Sequence, residues 1–256
     1  MEEEIKVVKY DNGDIYSGHI KNDKREGRGV CKYANGDMYE GDWNDGKKHG
    51  QGVLQFKSGS RFAGNFVNDR INGEGGYFFF NGDQVAGVFE NGRPTGMCIY
   101  AYHNGDSYKG EFKNGLQHGT GEYKYKDGSV YNGDWAEGKQ CGKGQFQYAA
   151  QGAYQGDWKD DMRHGQGALY IEAKSGYVGQ WKDDKRTGKG KFEYANGDVY
   201  EGDWVDNMRQ GKGRMAYHNG HVYTGEWAED KKHGRGVYFD GQKEEYQEYS
   251  LDARIK

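Results

Sequence analysis

A 23-residue period governs this chain. From Tyr16, an aromatic residue returns at Tyr39, Phe62, Tyr108, Tyr131, Tyr154, Tyr177, Tyr200 and Tyr223, and Val85 takes its place once; every interval is 23 residues, without insertion. With each repeat numbered from that residue, positions 3 and 12 are Gly in all ten copies. Position 5 is aromatic in nine copies, Ile20 being the exception, and position 14 is Gly in nine, Cys98 being the exception. A fixed period of this length marks a repeat architecture, in which each unit buries its apolar face against its neighbours.

Composition says what can do the burying. Only 34% of residues are hydrophobic, yet 15% are aromatic, and 45 Gly accompany a single Pro. Low hydrophobicity by itself points to disorder. The aromatic load and the strict spacing point the other way, with Tyr, Trp and Phe supplying the buried area.

Side chains alternate faces along a strand. Positions 1, 3 and 5 (aromatic, Gly, aromatic) therefore share a face, and so do positions 12, 14, 16 and 18 of the next strand, as in Gly119, Gly121, Tyr123 and Tyr125. Rings of one strand are expected to lie over glycines of its neighbour. Two turns join the strands. The short one, as in Asn35-Gly36-Asp37 and Asn196-Gly197-Asp198, is expected to be a type I′ hairpin turn, which Asn-Gly favours. The other is read as longer and charged, as in Asn44-Asp45-Gly46-Lys47-Lys48-His49. The expected fold is all-β: a single elongated, twisted antiparallel β-meander of ten 23-residue hairpin repeats with half-repeat caps. About twenty strands at roughly 4.8 Å each would span about 95 Å. Residues 1–15 read as an N-terminal cap strand, 16–245 as the array, and 246–256 as a C-terminal cap and tail. Tyr246 is expected to open an eleventh unit, with Glu248 where Gly should be.

The pattern Y-x-G-x-W-x-x-x-x-x-x-G-x-G resembles the MORN repeat (membrane occupation and recognition nexus) over residues 10–240. The resemblance implies a repeat scaffold. Chains made almost wholly of MORN repeats are often cytoskeletal, and radial spoke heads of motile cilia contain such subunits. MORN arrays also accompany lipid kinases, junctional membrane proteins and a methyltransferase, whose activities are not carried over because their segments are missing here.

The residues give no converging chemistry. Asp, Glu, Lys and His recur from unit to unit, which spreads them along the array, whereas catalysis needs unlike groups at one place. Gly41-Asp42-Trp43-Asn44-Asp45-Gly46-Lys47 and Gly133 to Lys139 approach a phosphate loop but lack its following Ser/Thr. His49, His118, His164 and His233 all fall at position 11, at least two units apart, too far for one metal. The expectation is no catalytic site, no cofactor and no metal. Cys31, Cys98 and Cys141 lie in separate repeats without CxxC spacing, which suits a reducing compartment. The acidic start, Met1 to Glu4, is no secretory signal. A formal net charge of −4 excludes a global basic field for nucleic acid.

Two surfaces remain as candidates. Lys47, Lys48, Arg163, Lys185, Arg186, Lys231 and Lys232 fall at positions 9 and 10 and form an edge that could meet an anionic surface, such as phosphoinositide headgroups. Interleaved Asp69, Asp184 and Asp230 favour a merely solvated edge. The aromatic face, with Tyr39, Trp43, Tyr131, Trp135, Trp158, Trp181, Tyr200, Trp204 and Trp227, would form a shallow groove for a protein partner. Phe78, Val88, Met97 and Ile99 fall on the opposite face, polar in other units, where a partner or a self-association contact explains them equally well. The functional expectation is a non-enzymatic, cytoplasmic protein-interaction scaffold, a structural component of the ciliary axoneme (radial spoke or similar) or other cytoskeleton. The alternative is a peripheral membrane adaptor that binds phosphoinositides.

Overall fold

The computed structural model describes residues 5–172 and 175–256. The described residues form 23 strands and no helix. The chain divides into two compact units, Met1–Lys126 with Ala136–Gly138, and Asp127–Trp135 with Lys139–Lys256. Each is an antiparallel meander of consecutive hairpins, as the 23-residue period requires. In the first, the strands from Lys6–Lys9 to Leu116–Lys124 pair in chain order; in the second, those from Lys139–Gln147 to Ala253–Arg254 do.

The ninth repeat shows how one unit is built. Its arms are Val199–Val205 and Met208–Ala216. Tyr200 faces Met215 and Gly202 faces Gly213, then the register shifts so that Asp203 faces Gln210. The shift is a β-bulge. Gly211, at position 12, adopts φ +62°, where a side chain is strained. Position 12 is therefore a bulge residue and not a ring seat as alternation suggests; the bulge breaks the alternation. Positions 3 and 14 are the seats. A Cβ on Gly213 would collide with the Tyr200 ring and hydroxyl, and one on Gly202 with the Gly213 backbone. The bulge leaves the Asp203 carbonyl free of the ladder, and the Tyr200 hydroxyl donates to it at 3.1 Å. The Asp203 carboxylate accepts the Lys212 N–H at 3.0 Å on the other side of the bulge. The recurring Asp of position 4 is thus a bulge clamp, repeated by Asp42, Asp134 and Asp157.

The two turns exchange the types expected for them. The charged turn is the two-residue type I′ turn: both central residues have positive φ, as in Asn22-Asp23 (51° and 60°) and Asp206-Asn207 (48° and 73°). The Asn-Gly turn is a three-residue loop. Gly36 N–H donates to Tyr33 O, Tyr33 N–H donates to Asp37 O, and only Gly36 has positive φ, +93°. That is a type I turn closed by a glycine bulge. The Asn35 side chain accepts the Asp37 N–H at 2.9 Å and so stays out of the left-handed region.

Both turns tie each repeat to the next. Asp37 accepts the Lys57 N–H of the following short turn at 2.9 Å, and Asp83 accepts that of His103 at 2.8 Å. On the other edge Asp69 accepts the Lys48 N–H at 2.9 Å and Asp230 that of Arg209 at 2.8 Å. Each carboxylate satisfies a backbone N–H of the adjoining repeat, in the short turn or at the end of a strand.

Rings complete the core. Tyr177 meets Trp181 of its own repeat at 5.2 Å and Trp204 of the next at 5.4 Å; Tyr200 meets Trp204 and Trp227, both at 5.2 Å, all edge to face. Such pairs are worth about 0.5–1.5 kcal/mol beyond area burial. The Trp204 indole N–H also donates to Gly190 O of the preceding repeat, 3.1 Å.

The ends adapt the same unit. Lys6–Lys9 forms an outer half-hairpin on Ile15–Lys21, with Val8 facing Tyr16. At the C-terminus the expected start at Tyr246 is displaced by one residue. Glu245 faces Tyr238, Gln247 faces Gly236 and Tyr249 faces Gly234, so Tyr249 takes the tryptophan position against Tyr223, 5.6 Å away. The cause is a shorter turn: Asp240 N–H bonds Lys243 O, where Tyr217 N–H bonds His221 O one residue farther on. Tyr246 is consequently exposed. The tail turns through Leu251-Asp252 and adds the strand Ala253–Arg254. The two irregular short turns differ: Ala149 to Gly152 closes through Tyr148 N–H to Gly152 O, while Ala173 and Lys174 of the other lie outside the described residues.

Candidate protein-docking groove

The inner face carries a second row of rings. Position 16, on the second arm of each hairpin, and position 18, just beyond it, stand beside the buried Tyr–Trp ladder; Phe56, Tyr77, Phe79, Tyr100, Tyr102 and Tyr123 are half-buried there. In the first unit they stack continuously: Phe56–Tyr77 at 5.9 Å, Tyr77–Phe79 at 4.4 Å, Phe79–Tyr100 at 6.0 Å, Tyr100–Tyr102 at 4.4 Å and Tyr102–Tyr123 at 5.6 Å. Burial pushes the Tyr102 hydroxyl up to about 12, so it stays protonated, and it accepts a bond from the Gln117 amide at 2.7 Å. Tyr100 and Tyr123 donate to Asp83 and Asp106, at 3.0 and 2.8 Å, which fixes the rings.

Position 10 compensates for position 16. Where position 16 is small or aliphatic (Cys31, Leu54, Leu169, Met215), position 10 is a cation (Arg25, Lys48, Arg163, Arg209). Arg25 lies 4.0 Å over the Trp43 ring, Arg163 4.4 Å over Trp181 and Arg209 4.5 Å over Trp227. Where position 16 is Tyr77, Tyr100, Tyr123 or Phe146, position 10 is Ile71, Pro94, Gln117 or Gln140. Arg186 with Phe192 and Lys232 with Tyr238 keep both.

The basic edge is mostly engaged. Lys185 pairs with Asp206 at 3.2 Å and Arg163 with Asp184 at 2.8 Å. Arg186 lies 4.5 Å over Trp204, and its guanidinium donates to Asn207 O at 2.9 Å. Lys48 and Lys232 point at tyrosine rings, Lys232 with four centroids at 4.9–5.5 Å. Burial lowers the pKa of both ammonium groups. Lys47 and Lys231 extend into solvent.

The family profile of the MORN repeat matches ten segments: residues 16–38, 39–61, 62–84, 86–107, 108–130, 131–152, 154–170, 177–199, 200–222 and 223–242. The chain belongs to the MORN-repeat family. No curated protein matches it. Solved structures similar to it include the TCP10 domain of Danio rerio CPAP in complex with a peptide of STIL, 13% identical, covering 78% of this chain and 94% of that one, with a TM-score of 0.43. Another is the Drosophila melanogaster SAS-4 TCP domain with a proline-rich motif of Ana2, 12% identical, covering 69% and 90%, with a TM-score of 0.39.

The MORN consensus rings lie beneath the surface. Tyr39, Trp43, Tyr131, Trp135, Trp158, Trp181, Tyr200, Trp204 and Trp227 are all buried, at 7% exposure or less. Each repeat's rings are enclosed by the glycine backbone and by the rings of neighbouring repeats. The partly exposed rings at positions 16 and 18 were visible in the sequence, but their separate role was not. Phe78, Met97 and Ile99 do reach solvent on the outer face, at 40%, 59% and 54% exposure. Ile99 faces Ala86 across the strands and Phe78 lies two residues from Gly76, Ala86's other partner, so they share one patch.

Proposed function

We propose that this MORN protein is a non-enzymatic docking scaffold, a structural component of the ciliary axoneme or of other cytoskeleton, and that partners lie in the inner aromatic groove. The observation that supports this reading is the half-buried stack from Phe56 to Tyr123, which presents apolar area held rigid by hydrogen bonds. Rigid aromatic surface costs little entropy to engage. On this reading residues 16–245 are the array, capped by 246–256 and by 1–15, of which 1–4 lie outside the described residues. The Phe78, Met97 and Ile99 patch offers a second contact surface, for a partner or a second copy. Proximity labelling in ciliated cells tests the assignment: axonemal neighbours are expected, and their absence would remove the ciliary location while leaving the groove reading to be tested by groove variants.

Lys47 and Lys231, which are exposed and form no ion pair among the described residues, support the alternative of an anionic-lipid adaptor. Co-sedimentation with vesicles containing phosphoinositide at physiological salt decides it. Binding lost on charge reversal at Lys47, Lys48, Lys185 and Arg186 would support it, and no binding would sink it.

A further inference from the structure

We propose that the neutral part of the groove, across repeats three to five, takes a polyproline II segment with proline at every third residue; this rests on the groove reading above. Two observations carry it. The first is charge. Repeats three to five carry Ile71, Pro94 and Gln117 at position 10, where repeats one, two and seven to ten carry a cation. The ring stack starts at Phe56 of repeat two and runs unbroken through these repeats from Tyr77 to Tyr123. The floor there is aromatic without a fixed positive charge, and its tyrosine hydroxyls are engaged by Asp83, Asp106 and Gln117. That surface matches an uncharged, apolar occupant and gives no counter-charge to an acidic one.

The second observation is the period. The ring pairs repeat every two strands, about 9.4–9.8 Å. A polyproline II helix has three residues per turn and rises about 3.1 Å per residue, so one face recurs every ~9.3 Å. Over three repeats the two lattices stay within about 1 Å or so. An α-helix returns the same face after seven residues, about 10.5 Å, and drifts faster. An extended strand returns it after two, about 6.8 Å, and does not fit. One proline would rest on the exposed edges of each ring pair, because neighbouring pairs, with centroids 5.6–6.0 Å apart, already touch and leave no space between them. Polyproline segments are pre-ordered and dock aromatic-lined grooves in this way.

The test is fluorescence anisotropy of the full chain with labelled peptides. One peptide carries proline at every third position. A second has the same composition with the spacing broken, and a third is a helical peptide with leucine at every seventh position. The regularly spaced peptide is expected to bind at least about tenfold more tightly than the other two. Phe79→Ala, and separately Ile71→Lys, which inserts the cation of the outer repeats, should each weaken it several-fold with unchanged near-ultraviolet circular dichroism. Equal binding of the broken-spacing peptide, tighter binding of the helical one, or no binding at millimolar concentration overturns the inference. If it fails while Phe79→Ala still abolishes capture of the cellular partners, the groove reading stands; if capture is also intact, both fall.

Discussion

The Cys98 side chain fills the space that Val85 leaves open. Every other repeat sets a Tyr or Phe ring at position 1 over Gly at position 14; here the ring is Val85 and the glycine is Cys98, both buried. The Cys98 thiol donates toward Thr95 O at 3.5 Å or Val88 O at 3.8 Å. Those are the positions 11 and 4 carbonyls that the Tyr39 hydroxyl approaches at 3.4 and 3.0 Å. The exception therefore preserves both the volume and the hydrogen bond of the rule.

The pair should behave as a unit. Val85→Tyr alone drives a ring into Cys98 and should cost about 1–3 kcal/mol, as overpacked cores do. Cys98→Gly alone leaves a void and removes the thiol donor, at about 1–2 kcal/mol. The double variant restores the consensus and should be at least as stable as the native chain, a coupling of several kcal/mol. Additive losses in denaturant melts would refute the pairing.

Ring seats and outward positions should differ sharply within one strand. Gly202→Val places atoms against the Gly213 backbone and should cost 3 kcal/mol or more, in the range of severe core damage. Glu201→Val, exposed on the other face, should stay within about 0.5 kcal/mol. Equal midpoints in urea would contradict the packing described for Tyr200.

The repeat length, the ring-on-glycine packing and the antiparallel hairpins were legible because they follow from period and alternation. The bulge was not. Gly211 and Gly213 look alike in sequence, and only the pairing of Asp203 with Gln210 separates a left-handed bulge residue from a ring seat. Turn type was misassigned for a related reason. Asn-Gly suits several turns, and the bond that the Asn35 side chain accepts from the Asp37 N–H decides among them. A groove on the aromatic face was legible, but which ring row stays partly exposed was not, because Tyr100 and Tyr108 are both aromatic and their burial depends on which row the glycines enclose.

Acid should loosen the short-turn edge through Asp83. Burial tends to raise its pKa, but bonds from the His103 N–H and ring, Asn81 and Tyr100 outweigh that and hold it at about 2. A carboxyl whose folded pKa lies below its unfolded value, near 3.9, contributes stability that is present above that value and lost as pH falls toward about 2. Melting temperature should therefore drop between about pH 4 and 2. Asp83→Asn should flatten that part of the profile; an unchanged slope would show that Asp83 has no share in it.

The most direct measurement sets the inner face against the outer. Partners recovered by proximity labelling are captured with the native chain, with the inner pair Phe79→Ala and Tyr102→Ala, and with the outer pair Met97→Ala and Ile99→Ala, each checked for an unchanged melt. Loss of capture by the inner pair, with the outer pair near native, is the result expected of a docking groove. Capture kept by the inner pair and lost by the outer pair would contradict it.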